Sequence, residues 1–193
     1  MSTVVEKARA ALVRIETAGR GAGAGTIWHP EGLILTNAHV AGKRALRVTL
    51  PNGETTPARV VASDKAHDLA ALTVKSNGLP AVELGNSKQL RPGDWVVALG
   101  HPWGVQGAAT AGVVIAVGVP PEMASLGQEL IQVSLHLRPG HSGGPLVDTQ
   151  GRLVGVNTMM AGPNAGLAIP VQTIKLFLKE HLGKDKLVTP VGV

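Results

Sequence analysis

Ser142 stands in the stretch Pro139-Gly140-His141-Ser142-Gly143-Gly144-Pro145. Its three glycine neighbours leave the hydroxyl uncrowded and let backbone N–H groups face whatever it attacks. A serine hydroxyl is a weak nucleophile until a base takes its proton. Two upstream segments hold the matching side chains. His39 closes the run Thr36-Asn37-Ala38-His39-Val40, and Asp68 opens the run Asp68-Leu69-Ala70-Ala71-Leu72. A hydroxyl, a base and an acid to orient the base make up the set needed to attack a carbonyl carbon and form an acyl intermediate.

Taken singly, each residue is ambiguous. A lone histidine is more often a satisfied core or surface residue than a base. An aspartate at a strand start is usually a turn residue, and a glycine-rich segment is often only a turn. The conjunction changes this reading, because three roles occur in one workable chain order beside apolar runs that could hold them rigidly. The order His39, Asp68, Ser142 is that of the chymotrypsin-type triad and of no other well-known triad fold.

Gly140-His141-Ser142-Gly143-Gly144 also fits the Gly-x-Ser-x-Gly elbow of α/β-hydrolases. An elbow leads from strand to helix. Here Pro145–Asp148, a Thr149-Gln150-Gly151 turn and Arg152–Val156 read as a β-hairpin instead. Only Asp148 and His181 follow the serine in the order an elbow enzyme needs, which leaves little room for a doubly wound fold. An esterase of that class is disfavoured.

Of the other histidines, His29, His101 and His181 read as surface or turn residues. His67 points away from the side taken by Asp68. His136 and His141 flank the serine, but with His39 they lack tight ligand spacing and read as polar lining. No metal and no cofactor is expected.

The elements that must position these residues are mostly strands. Val4–Ile15 carries apolar residues at three- and four-residue spacing and predicts a helix. Strands follow at Ala24–Trp28, Leu33–Asn37, Ala45–Leu50, Ala58–Asp64 and Leu69–Val74, broken by Pro30-Glu31-Gly32, Pro51-Asn52-Gly53 and Ser76-Asn77-Gly78 turns. A second series runs through Asp94–Gly100, Ala109–Val117, Glu129–Ser134, Pro145–Asp148, Leu153–Thr158 and Gly166–Ile169. Leu84–Pro92 lies between the two series as a connection. Val171–Leu182 has a helical pattern, and the tail from Lys184 reads as loose.

Composition agrees with many short strands and tight turns: 25 Gly and 13 Pro are spread along 193 residues. Apolar residues make up 44%, yet three Trp and one Phe are the whole aromatic supply, so the core must rest on Val, Leu, Ile and Ala. There is no cysteine, hence no disulfide and no thiolate metal site. The net charge of +5 comes from scattered basic residues, densest at Lys43, Arg44 and Arg47, without interleaved aromatics. That pattern favours a solvated face over nucleic-acid binding. Neither a signal-peptide region nor a membrane span is legible. The expectation is a soluble chain, cytoplasmic as it stands and extracytoplasmic if a leader was removed.

Thr36–Val40, Asp68–Leu72 and Gly140–Val147 resemble the protease domain of the HtrA/Deg family of chymotrypsin-fold serine proteases. Glu31-Gly32-Leu33-Ile34-Leu35, Gly100-His101-Pro102-Trp103-Gly104, Gly155-Val156-Asn157-Thr158 and Gly166-Leu167-Ala168-Ile169-Pro170 extend the resemblance from about Val5 to Leu182. It implies an all-β fold of two antiparallel six-stranded barrels, about 14–84 and 93–170, with short N- and C-terminal helices. It also implies His39 as general base, Asp68 as its orienter and Ser142 as nucleophile, with the N–H groups of Gly140 and Ser142 as oxyanion hole.

Leu137 would then form the pocket wall and Thr158-Met159 the substrate strand, with His141 beside them. The position where a lysine- or arginine-selecting protease needs an acid is His136, so cleavage after small aliphatic residues of unfolded polypeptide is implied. Where the family usually has Asn before the serine, this chain has His141. No PDZ module follows Leu182, and the aromatic residues through which the family commonly trimerises are absent from the N-terminus. The competing reading is a latent or chaperone-like peptide-binding module with an inactive oxyanion loop.

Overall fold

In a computed structural model, residues 2–17, 20–42, 46–162 and 165–183 are described. The start of the strand expected at Ala45, the basic pair Lys43 and Arg44, and the tail from Lys184 lie outside them. Helix α1 (Ser2–Ala10) leads into strands β1 (Leu12–Thr17), β2 (Arg20–His29) and β3 (Leu33–Thr36). A four-residue helix α2 (Ala38–Ala41) separates these from β4 (Leu46–Thr49), β5 (Thr55–Asp64) and β6 (Leu69–Val74). The second half holds β7 (Trp95–Gly100), β8 (Ala108–Gly118), β9 (Leu130–Val133), β10 (Pro145–Val147), β11 (Leu153–Met160), β12 (Gly166–Pro170) and helix α3 (Val171–Leu182).

Each half closes into a six-stranded antiparallel barrel. The strand orders β1-β2-β3-β6-β5-β4 and β7-β8-β9-β12-β11-β10 are the same pattern used twice. Closure leaves no unpaired sheet edge in either barrel. This is the all-β, two-barrel fold expected, with one correction to its elements. The helix predicted over Val4–Ile15 ends at Ala10, and Leu12–Thr17 is a strand paired with both β2 and β4.

Apolar spacing at Val4, Ala8, Leu12 and Ile15 suits a helix, but a helix would bury only one stripe. As a strand, this segment buries one face and, at Leu12, the start of the other. Val13 and Ile15 enter the first barrel's core, while Leu12 packs with Ala8, Ala24, Val97, Leu99 and Val147 at the seam between barrels. It also supplies the sixth strand, where sequence periodicity had shown only five.

The aliphatic core expected from composition is present: Trp28 and Phe177 are the only aromatic side chains buried among Val, Leu, Ile and Ala. Helix α3 packs against β5 and β6 of one barrel and β11 and β12 of the other. Its buried residues are Val171, Ile174, Phe177 and Leu178. Gly183, at φ 61°, ends it by donating its N–H to the Lys179 carbonyl. The two barrels are thus tied at the helix and at the Leu12 seam, which leaves the face between them for a cleft.

Candidate active site

His39 and Ser142 line one cleft, and Asp68 stands behind His39. β3 is buried along its whole length and delivers Asn37 and the short helix α2, so His39 emerges from a rigid base. Asp68 precedes β6 with φ 53°, a left-handed backbone that Asp tolerates better than most side chains. Its carbonyl accepts the Ala38 N–H at 3.2 Å and the Asn37 side-chain amide at 3.0 Å, locking the two loops together.

The aspartate carboxylate then grips the histidine. Asp68 Oδ1 accepts the His39 backbone N–H at 3.1 Å, and the ring Nδ1 lies 2.8 Å from Oδ2 and 3.0 Å from Oδ1. From the other barrel, the Thr158 hydroxyl donates to Asp68 Oδ2 at 2.7 Å. Burial alone would raise the Asp68 pKa. The hydrogen bonds from His39 and Thr158 outweigh it and hold the carboxyl below its ordinary value of 3.8. It is therefore ionised throughout the neutral range.

The serine loop is held by glycine conformations that no other residue would take cheaply. Gly140 has φ 103°, and a Cβ there would lie 2.5 Å from the His101 carbonyl. Gly143 has φ 84°, and its Cβ would fall 2.1 Å from the Ala24 carbonyl oxygen. Their backbones are tied in turn: His101 N–H donates to the Gly140 carbonyl at 2.8 Å, and Gly143 N–H to Asn157 at 2.9 Å. Ala24 of the first barrel donates to the Ser142 carbonyl at 2.9 Å, fixing the serine across the seam. The N–H groups of Gly140 and Ser142 have no backbone acceptor among the described residues.

A cleft of about 440 Å³ is lined by His39, Leu137, Gly140, Ser142, Met159 and Met160, with Thr17, Gly23, Val40, Arg138 and Pro139 around them. The Ser142 hydroxyl donates to the Thr158 carbonyl at 2.9 Å, and no hydrogen bond joins it to His39. An unbroken chain of contacts nevertheless runs from Ser142 through Thr158 and Asp68 to His39.

The sequence and the fold are similar to those of known proteins. The model of the trypsin-like peptidase domain matches residues 23–156. The chain belongs to the trypsin-like peptidase family. It is 39% identical to "Serine protease HTRA2, mitochondrial" of Bos taurus over 201 aligned residues, covering 96% of this chain and 43% of that protein. It is 36% identical to "Serine protease HTRA1" of Xenopus laevis, covering 93% of this chain and 42% of that one. The structure of an HtrA-type protease, AlgW with a tripeptide, superposes with a TM-score of 0.87 at 34% identity over 95% of this chain and 63% of AlgW. The chain thus spans less than half the length of these two curated relatives.

Two of the residues expected at the substrate are buried and hydrogen-bonded within the protein. Thr158 is 4% exposed and spends its side chain on Asp68 and its carbonyl on Ser142, so it is a brace beneath the cleft. His141 is 3% exposed and turns inward, where Nδ1 sits 3.1 Å from the Arg138 N. Leu137 and Met159 do line the cleft. His29 and His101, read as surface or turn residues, are buried. His67 points away from the cleft and pairs with Asp64 at 2.5 Å. Among the described residues no cluster of His, Asp and Glu is arranged to hold a metal. Neither is any helix long and apolar enough to cross a membrane.

Burial pulls the pKa values of His101 and His141 below their ordinary 6.5, so folding favours the neutral form of both. The unfolded chain binds extra protons between those lowered values and 6.5. Stability therefore rises with pH across that window, is complete above it, and is lost as pH falls through it. The urea midpoint of the wild type is expected to drop between pH 7.5 and 5, and His141→Asn to drop less. Equal drops in the two proteins would exclude His141 as a source of the effect.

Proposed function

We propose that this chain is a serine endopeptidase that hydrolyses peptide bonds of unfolded or misfolded polypeptides. The observation that carries the reading is the Asp68 carboxylate, bonded to the His39 ring of one barrel and the Thr158 hydroxyl of the other, beside a cleft lined by His39 and Ser142. Ionised Asp68 accepts the Nδ1–H of His39, which leaves Nε2 bare as the proton acceptor. The Ser142 hydroxyl turns about its Cα–Cβ bond from the Thr158 carbonyl toward that nitrogen, a change of one staggered rotamer.

His39 takes the hydroxyl proton as Ser142 Oγ attacks the peptide carbonyl carbon. The oxygen that becomes negative is met by the N–H groups of Gly140 and Ser142, and each such donor is worth roughly 3–4 kcal/mol in the transition state. The imidazolium returns its proton to the departing amine, and water repeats the sequence on the acyl-serine. Asp68 stabilises the imidazolium without becoming protonated.

The residue before the cut is small and aliphatic. Leu137, Met159 and Met160 form an apolar wall, and among the described residues no Asp or Glu lines the cleft to hold a cation. The substrate enters as an extended strand, which selects unfolded segments.

The tests are fluorophosphonate labelling of the purified chain and sequencing of casein fragments by mass spectrometry. Stoichiometric label on Ser142 and cuts after Val, Ala, Leu or Ile are expected. The bond from Ser142 to Thr158, in place of one to His39, favours a second reading: a latent peptide-binding module. Absence of label with retained peptide binding would establish that reading instead, because labelling needs base and oxyanion hole together.

A further inference from the structure

Trp103 is 71% exposed in a chain with three Trp and one Phe, and its φ of 52° lies in the left-handed region that a bulky side chain avoids. That conformation supports a contact. The Arg138 guanidinium lies over the indole ring, 4.4 Å from the centroid. Arg138 belongs to the loop that carries Gly140 and Ser142, and its backbone N–H is tied to His141 Nδ1 at 3.1 Å. The side chain is therefore anchored at its root by the serine loop and at its tip by Trp103.

Arg138 is also the one side chain of fixed charge among the described residues lining the cleft. It forms no ion pair among the described residues; the other arginine pairs are Arg14 with Glu16 and Arg152 with Asp148. A guanidinium stacked through its face keeps its edge N–H groups available, and that edge matches a carboxylate bidentately. The surplus of basic residues over the whole chain, +5, favours the approach of an acidic segment.

We propose that Arg138, positioned by Trp103, is a specificity-determining residue that binds an Asp or Glu side chain of the polypeptide close to the scissile bond. This rests on the endopeptidase reading above. The pocket that selects the residue before the cut remains aliphatic, and the acidic side chain occupies a neighbouring position on the extended substrate.

The test uses peptide pairs that share one cleaved bond and differ only by Glu or Gln, scanned over the positions flanking it. At about 50 mM ionic strength, wild type is expected to favour one Glu peptide by about three- to tenfold in kcat/KM, a preference that fades with added salt. Arg138→Gln brings the paired rates together. Trp103→Ala weakens the preference and Trp103→Phe restores it, which a merely structural role for the indole would not predict. Equal rates in wild type at every position, or a ratio that survives Arg138→Gln, overturns the inference. The same peptides titrated onto Ser142→Ala, followed by fluorescence anisotropy, read the preference without turnover. Equal affinities there overturn it even if the nucleophile is misassigned, whereas failure of the endopeptidase reading shows as absent cleavage and absent label.

Discussion

Alanine at position 142 is expected to lower kcat for casein or a peptide by about a million-fold, the loss seen when an acyl-enzyme nucleophile is removed from an otherwise intact site. Nothing else lining the cleft replaces it. His39 can still accept a proton and Gly140 can still donate to an oxyanion, but no covalent step remains, so only a small residual over the water reaction survives. Peptide affinity should change little, because the hydroxyl is not part of the apolar wall. The bond lost is the one from Ser142 to the Thr158 carbonyl, a net cost of about 1 kcal/mol to folding. A purified Ser142→Ala protein that still cuts casein at more than a hundredth of the wild-type rate, as an order of magnitude, would remove Ser142 from the nucleophile's role.

Asp68→Asn is expected to lower kcat by about ten-thousand-fold at neutral pH with the fold intact. The physical cause can be traced atom by atom. In the wild type both carboxylate oxygens accept: Oδ1 from the His39 backbone N–H, Oδ2 from the Thr158 hydroxyl, and both face His39 Nδ1. An amide keeps one acceptor. Its oxygen stays with the backbone N–H, so the NH₂ group points at Nδ1 and the Thr158 hydroxyl, which can rotate to accept. His39 Nδ1 must then accept as well, its proton moves to Nε2, and the nitrogen that should deprotonate Ser142 is already occupied. Nδ1 and Nε2 shifts from nitrogen-resolved NMR of His39 should report the exchanged tautomer. An Asp68→Asn protein with a tenth or more of wild-type kcat (~1 kcal/mol in barrier), or with the wild-type tautomer, would contradict this account.

The lowered pKa of Asp68 adds a stability term with a defined sign. Its contribution is present above the unfolded value of 3.8 and is lost as pH falls through the lower folded value. It thus begins to erode below pH 3.8, whereas the contribution of the two buried histidines begins to erode below 6.5. The two phases should be separable in a pH series of urea midpoints.

Much of this was legible in the residue order because local chemistry dictated it. The hairpin after Ser142 follows from a Thr-Gln-Gly turn between two apolar runs, and it forms as β10 and β11. Helix α3 spans Val171–Leu182 as its spacing predicted, between a proline that cannot continue a strand ladder and a glycine that can adopt positive φ. Pairing over distance was not legible. Leu12–Thr17 suits either period, and only its pairing with β2 and β4 makes it a strand.

Side-chain direction was likewise hidden. Thr158 and His141 lie in the segments beside the serine, but which way each turns depends on Asp68 from the other barrel and on the Arg138 backbone. Nor did anything in Gly100-His101-Pro102-Trp103 announce that its indole would meet an arginine 35 positions later, at 4.4 Å. By itself, the sequence determined the fold class, the chain order His39, Asp68, Ser142 and the turns that present them, because glycine conformations and apolar periodicity act within a few residues. Only the tertiary structure decided that Asp68 would bridge two barrels, that the serine hydroxyl would rest on Thr158, and which side chains would face the cleft. Those outcomes depend on contacts between segments remote in sequence, whose geometry exists only once both barrels have closed.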